Sequence, residues 1–433
     1  MSKSSFLEGH IETIFDDIYG SEDKDFHLER WERLIEIHVN RCGDPSPRLF
    51  SASGRTELSG NHTDHNGGAV LSAAIQLDTI AAVTQGNRKG ENLAEVISEG
   101  YPPVSVDLSN LARIEAEEGA SDALLRGIAA SIVRRGGRIG GFIASTASRV
   151  LKGSGLSSSS ALEILIGSIF NELFNGGRFT PIELAQMGQE AENNYFGKPC
   201  GLMDQISCSV GGALVIDFAQ PGTPVVHGVD FNPSDAGFTL AVLDSGSSHA
   251  DLTSDYSAIP AEMRAAASVL GAENLGEADE KSFMSSIGRI REKCGDRAVL
   301  RALHFFNENR RVHSMASNLE RGDIGAYLEG MRQSGRSSFC LLQNVFSPDH
   351  PASQSLSLAL ALSEGFLGET GAARVHGGGF AGTIQALVPS SSFSRYKEFI
   401  EGYFGKGSLI PLSIRRRPAG ELKIGSSAQQ YSI

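Results

Sequence analysis

The chain has 433 residues, 40% apolar and 21% charged, a globular composition at a length where two packed domains are expected over one. A formal net charge of −13, with Arg415-Arg416-Arg417 as the densest basic run, excludes a nucleic-acid binder and favours a small neutral substrate. The five cysteines (Cys42, Cys200, Cys208, Cys294, Cys340) are never spaced as CxxC, the apolar runs are too short to cross a bilayer, and the first residues lack a signal-peptide pattern, so a cytoplasmic protein with reduced thiols, no zinc and no membrane contact is expected.

Residues 1 to about 50 read as mainly helical, with Trp31, Leu34, Ile35, Ile37 and Val39 set among charges and a stop at Gly43 and Pro45. Residues 54–68, GRTELSGNHTDHNGG, form the first dense glycine and polar cluster and are expected to be a loop feeding the apolar run that begins at Ala69. Next, Gly153, Gly155, Leu156 and four serines at 157–160 precede apolar residues at 162, 165, 166, 169, 170 and 173, one face of an α-helix that Gly176-Gly177 would stop. Any of these serines can be the N-cap, and Ser160 with Glu163 has the spacing of a capping box. Thr180-Pro181-Ile182-Glu183 opens a further helix running to Gly197 and carrying Glu192 near its end. A strand is expected over 211–218, and the Pro-, Gly-, Asn- and Asp-rich stretch 220–235 marks a boundary between domains 1–235 and 236–433. The second half mixes strands such as 238–243 with helices near 298–319 and 352–362, without internal repeats.

A Gly- and Ser-rich loop at a helix start turns unsatisfied N–H groups and the positive end of the helix dipole toward an anion, with a nucleotide phosphate the obvious guest. Alone, the same loop reads equally as a flexible capped turn. Neither GxxxxGK[ST] nor the HRD and DFG set of protein kinases is present. Residues 377–382 match GxGxxG but lead into the strand-like Thr383-Ile384-Gln385-Ala386-Leu387-Val388, which points to a close backbone approach instead of a dinucleotide fold. Arg55, Asn61, His62, Asp64 and Asn66 mix donors with acceptors as sugar recognition requires, although a solvated loop has the same composition. Asp204 lies in the apolar stretch Gly201-Leu202-Met203-Asp204-Gln205, where it either caps a helix or needs a cationic partner, for which Arg55 is the candidate.

Together these segments resemble the GHMP family of small-molecule kinases and, within it, the galactokinases. Residues 54–68 are similar to the signature GRxNLIGEHTDYNGG, 152–163 to the phosphate loop GxGLSSSAxLE, and 375–388 to the third, glycine-rich motif. Residues 191–205 resemble AEH…G.PCG.MDQ, 301–312 resemble RA.H…EN.RV, and 248–256 resemble RH.L..SEY. The resemblance implies an α+β fold of two domains, the N-terminal one like the second domain of ribosomal protein S5 and the C-terminal one ferredoxin-like, with the active site between them.

The resemblance further implies transfer of the γ-phosphoryl group of ATP, with Mg²⁺, to a monosaccharide, galactose at its anomeric hydroxyl leading. Asp204 would be the catalytic acid residue, its pKa lowered by Arg55. Gly153, Gly155, Leu156, Ser157, Ser158, Ser159, Gly378 and Gly379 would surround ATP, Ser159 and Glu192 would position Mg²⁺, and Asn61, His62, Asp64, Gly201, Asp204 and Tyr256 would contact the sugar. A monomer or weak homodimer is expected. Departures from the family pattern include Ser53 for Pro, Glu57 for Asn, Ser59 for Ile, His65 for Tyr, Leu151 for Pro, an altered 334–337 segment and, above all, Asn61 for a sugar-binding Glu. Asn donates where Glu only accepts, so a kinase for another monosaccharide is a second expectation. A non-catalytic sugar- and ATP-binding sensor acting on a protein partner is a third, against which the retained serines and the Arg55/Asp204 pair speak.

Overall fold

The computed structural model describes residues 11–20, 24–86, 92–151, 153–220, 222–247 and 252–423. In chain order the elements are α1 (Ile11–Tyr19), α2 (Lys24–Cys42), β1 (Arg48–Ser59), β2 (Ala69–Gln85), β3 (Leu93–Ser98), β4 (Val104–Asp107), α3 (Ser121–Arg134), β5 (Phe142–Ser148), α4 (Ser158–Asn175), α5 (Pro181–Ala191), α6 (Met203–Val210), β6 (Ala213–Asp217) and β7 (Val225–Val229). They continue with β8 (Phe238–Asp244), α7 (Thr253–Val269), α8 (Glu280–Cys294), α9 (Asp296–Glu320), α10 (Ile324–Ser337), α11 (Ser355–Leu367), β9 (Ala372–Val375), β10 (Thr383–Pro389), α12 (Phe393–Phe404), β11 (Leu409–Leu412) and β12 (Gly420–Glu421).

The apolar run from Ala69 becomes the long strand β2, which organises the first sheet in the order β12-β1-β2-β5-β3-β4. Its second half pairs with β5 and its first half with β6, which in turn pairs with β7. β3 and β5 run parallel; the other pairs are antiparallel. Opposite β2, the register slips between Ser53, facing Asp78, and Arg55, facing Ala74. An irregular insertion of this kind reverses which face each residue parity serves. Accordingly Ala69, Leu71, Ala73, Ile75 and Leu77 share a core with α9 and α10, whereas beyond the slip it is Ile80 and Ala82 that turn to α1 and α2. Val70, Ala81 and Val83 occupy the opposite face, packed with helices α3 to α6.

The second sheet, β11-β8-β10-β9, is antiparallel throughout. Along β8, Ala241 and Leu243 face α11 and α12, while Leu240 and Val242 face α9 and α10, the period-two burial of a strand covered on both sides. The core around α9 and α10 therefore joins both sheets, and β12 returns the chain to the first sheet. The family-implied α+β architecture, with two sheet-and-helix layers meeting along one core, is what the chain adopts.

Two local expectations are corrected. Residues 54–59 are not loop but the end of β1, buried because groups from the second half cover them; only 60–68 form the turn. No capping box forms at Ser160 and Glu163: the N-cap is Ser157, and Glu163 is buried deeper in α4. The complete box is at α5, where Thr180 and Glu183 bond reciprocally beside Pro181. Gly176 ends α4 in the left-handed conformation, as expected. Among the described residues no helix is long and apolar enough to cross a membrane.

Candidate active site

Arg55 emerges from β1 at the register slip and is 5% exposed. Its Nε and Nη2 donate to Asp204 Oδ1 and Oδ2 at 2.8 and 2.9 Å, a bidentate pair across 149 residues of sequence. Ser157 Oγ donates to the same Oδ2 at 2.6 Å. Burial pushes the Asp204 pKa up, but Arg55 and the Ser157 bond outweigh it and hold the carboxyl below its ordinary value, so it is ionised at neutral pH. One third of the Asp204 side chain, 33%, remains accessible.

The loop before α4 is folded onto Arg55. The Arg55 amide donates to the Leu156 carbonyl at 3.1 Å, and its Nη1 donates to the Gly155 carbonyl. This approach requires glycine at 54, where a Cβ would meet Leu156 O at 2.7 Å and Val150 Cγ1 at 2.9 Å. Gly153 and Gly155 have φ of 79° and 68°, and Ser157 itself sits in the left-handed region at φ 63°, ψ 53°, which costs a non-glycine residue about 1 kcal/mol. That conformation aims Ser157 Oγ at Asp204 while Ser158 and Ser159, partly exposed, open α4 and present its N-terminus. Lys152, in the motif expected here, lies outside the described residues.

Beside this loop is a buried carboxylate pair. Glu192 begins a π-helical turn, Glu192–Phe196, that continues α5. Gln205 Nε2 donates to Glu192 Oε2 at 3.0 Å and Glu163 Oε2 at 3.1 Å, and Lys198 Nζ is 3.4 Å from Glu192 Oε1. Burial, then the neighbouring Glu192 charge, pushes Glu163 well up. Glu163 Oε1 has no hydrogen-bond partner among the described residues. No group of three or more His, Cys, Asp or Glu forms a metal cage among them. Mg²⁺ needs none: one or two carboxylates together with nucleotide phosphates suffice, and the hard oxygens of Ser159, Glu192 and Glu163, one of them uncommitted, fit that ion.

On the other side, the turn after β1 meets the third glycine motif. Asn61 is fully buried; its Nδ2 donates to Gly377 O (2.6 Å) and Glu57 Oε1 (3.1 Å), and its Oδ1 accepts from Asn344 Nδ2 (2.7 Å). His62, at φ 60°, donates from Nε2 to Gly378 O at 3.0 Å, and Tyr256 Oη donates to Gly379 O at 2.7 Å. A Cβ at Gly378 would collide with the Tyr256 ring, and one at Gly201 with the Asp64 carboxylate, so each glycine is needed to admit its neighbour. The structure thus brings His62, Asn61 and Tyr256 around Gly377, Gly378 and Gly379, Asp64 against Gly201, and Arg55, Ser157 and Asp204 together. Within the third motif, His376 and Thr383 reach the phosphate loop instead: Thr383 Oγ1 donates to Ser154 O at 3.0 Å, and His376 lies against Gly155. Ser248 and His249 lie outside the described residues.

Several residues that hold the site were assigned no site role from the sequence, although His304, Glu308 and Asn309 lie in the 301–312 segment and His376 in the 375–388 motif. Arg374 pairs with Glu57 at 2.6 Å, both buried. His376 bonds Thr56 Oγ1 and Thr383 Oγ1 at 3.1 and 2.9 Å. From α9, Glu308 accepts from Ser59 Oγ and the Gly60 amide, His304 donates to the Asn61 carbonyl at 2.9 Å, and Asn309 accepts from the Ala69 amide. The signal was available: Arg374 interrupts the apolar strand β9 and His376 directly follows it, and His304 and Glu308 are one turn apart on the buried face of a helix.

Residues 36–85 match the family model for the galactokinase galactose-binding signature, and residues 123–212 that for the GHMP kinases N terminal domain. The fold is similar to the crystal structure of Lactococcus lactis galactokinase complexed with galactose, at a TM-score of 0.75 and 23% identity over 91% of this chain and 100% of that one. It is also similar to a D-glycero-D-manno-heptose 1-phosphate kinase from Bacteriodes thetaiotaomicron (0.59, 17%, 87% and 99%) and to Methanococcus jannaschii mevalonate kinase (0.60, 12%, 85% and 98%). The two matched segments take in the turn after β1 and the α4 loop, so the chain carries a galactokinase-type signature and a GHMP-kinase N-terminal segment on a fold similar to that of these kinases.

Proposed function

We propose that the chain transfers the γ-phosphoryl group of ATP to a monosaccharide hydroxyl, with the anomeric hydroxyl of galactose the leading acceptor and Asp204 the base. The observation that carries this is the ionised Asp204, held by Arg55 and Ser157 at the foot of a helix N-terminus yet one third accessible. Asp204 accepts the hydroxyl proton as the sugar oxygen approaches phosphorus, and Arg55 balances the charge that develops between them. The α4 N-terminus with Gly153, Gly155, Leu156, Ser157, Ser158 and Ser159 holds the phosphates. Mg²⁺ at Ser159 and Glu192 supplies neutralisation of phosphate charge when bound. His62, Asp64, Gly201 and Tyr256 line the sugar side, and the galactose in the Lactococcus structure supports that sugar first. The same reading places the chain in the cytoplasm as a monomer or weak homodimer.

A second acceptor is favoured by one observation. Where the family signature has Asn and Glu, this chain has Glu57 and Asn61, hydrogen-bonded to each other, so the acid has moved four positions upstream onto Arg374. Asn61 has both amide hydrogens committed and acts as a tie between the first and third motifs instead of a sugar contact. A monosaccharide differing from galactose at the group that the Glu would bind then fits as well. Incubation with ATP, Mg²⁺ and a panel of monosaccharides (galactose, glucose, N-acetylgalactosamine, arabinose), following ADP release with Asp204→Asn as control, separates these readings. Turnover on one sugar, lost in the variant, names the acceptor; sugar and ATP binding without turnover rejects the kinase in favour of a sensor.

A further inference from the structure

Lys198 stands inside the site without a role in the arrangement above. Its amide and that of Gly197 both donate to the Glu192 carbonyl, at 3.2 and 3.0 Å, which pins the root of the side chain directly after the π-helical turn. The ammonium is 3.4 Å from Glu192 Oε1, longer than the roughly 2.8 Å of a charge-assisted hydrogen bond. The lysine side chain is 67% exposed, whereas its partner's is 4% exposed. This cation is near its carboxylate without being locked to it. Its field also reaches Asp204: both Glu192 and Asp204 raise the Lys198 pKa against the effect of burial.

The charge balance of the site gives that cation a task. Arg55 is engaged by both oxygens of Asp204, and Arg374 is buried on Glu57. A nucleoside triphosphate seated on the α4 N-terminus brings its terminal phosphate toward Asp204, where Glu192 adds a further carboxylate. A flexible ammonium whose side chain is already exposed can follow that phosphate with little desolvation cost.

We propose that Lys198 is a phosphate-binding residue that leaves Glu192 for the terminal phosphate of the bound nucleoside triphosphate, which releases the Glu192 carboxylate to the divalent cation. The proposal rests on the kinase reading above. It assigns Lys198 selectivity for a triphosphate over a diphosphate, because only the former carries the group that the ammonium reaches.

The test is calorimetric binding of AMP-PNP and of ADP, each with Mg²⁺, to the wild-type chain and to Lys198→Met and Lys198→Arg. Loss of one charge-assisted contact predicts that Lys198→Met weakens AMP-PNP about tenfold or more and ADP less than about threefold, with Lys198→Arg recovering most of the loss. Thermal stability and sugar affinity stay at wild-type values, which separates the effect from unfolding. Equal losses for both nucleotides, or none for AMP-PNP, overturn the role of Lys198. A wild-type chain that binds neither nucleotide rejects the kinase reading itself, a different outcome from a variant that binds as the wild type does.

Discussion

Replacing Arg55 by Met tests the arrangement at its centre. The substitution removes both bonds to Asp204 and the bond to the Gly155 carbonyl but keeps much of the aliphatic volume. Breaking a buried ion pair costs about 3–5 kcal/mol; because the Asp204 side chain is 33% exposed, solvent screening brings the expected cost below that, to about 2–3 kcal/mol. At roughly 2.1 cal/mol/K of unfolding entropy per residue, that is a fall in Tm of about 3 °C for 433 residues. The chemical consequence is larger. With Arg55 gone, only the Ser157 bond and the Lys198 charge remain against burial, so the Asp204 pKa rises and the acid limb of kcat/KM moves to higher pH. In the wild type that limb lies below the ordinary carboxylate range. Rates of ADP release between pH 5 and 8.5 measure it, with a fall in kcat of about 10²–10³ at pH 7. An Arg55→Met profile parallel to that of the wild type would refute the claim that Arg55 sets the ionisation of Asp204.

Three further predictions follow from distances and burial. Gly54→Ala pushes Leu156 O and Val150 away from β1, so nucleotide affinity falls about tenfold while sugar affinity, held elsewhere, is retained; unchanged nucleotide binding contradicts the packing account. Glu57→Gln strands Arg374 and costs about 3 kcal/mol in urea unfolding, whereas the double variant Glu57→Gln/Arg374→Met is less destabilised; additive losses would show that the pair is not coupled. Burial, first among the causes, lowers His38 to about 4 and His62 to about 3, and lowers His304 and His376 as well. These rings are neutral when folded and take up protons on unfolding below about pH 6.5. Each therefore costs about 1.4 kcal/mol of stability per pH unit from there down to its folded pKa. Stability that stays flat between pH 7 and pH 5 would contradict their burial.

The sequence made the motifs legible because their chemistry is local. Serines and glycines before a 3.6-period helix announce an anion site, and Thr180-Pro181-Ile182-Glu183 contains its own cap. The partner of Asp204 was legible for a different reason: a carboxylate in an apolar stretch demands a cation. What the sequence did not reveal depends on the other half of the chain. Residues 54–59 look like a polar loop until α9, α10 and the third motif are placed over them, when every polar group acquires a partner and the segment becomes strand. Glu57 and Asn61 read as two separate departures from the family pattern until the backbone brings them within 3.1 Å. Ser160 and Glu163 had the right spacing for a cap, but the left-handed turn at Ser157 starts the helix and commits the glutamate to the interior. Lys198 gave no sign at all, since a lysine in a glycine- and proline-containing loop is ordinarily a solvated charge.

The most direct test of phosphoryl transfer by Asp204 to a sugar is phosphorus NMR of the wild-type chain and Asp204→Asn with ATP, Mg²⁺ and the acceptor that releases most ADP. The account predicts that a sugar monophosphate resonance grows in step with ADP in the wild type and is absent in the variant. ADP accompanied by inorganic phosphate alone, or sugar phosphate formed equally by the variant, would contradict it.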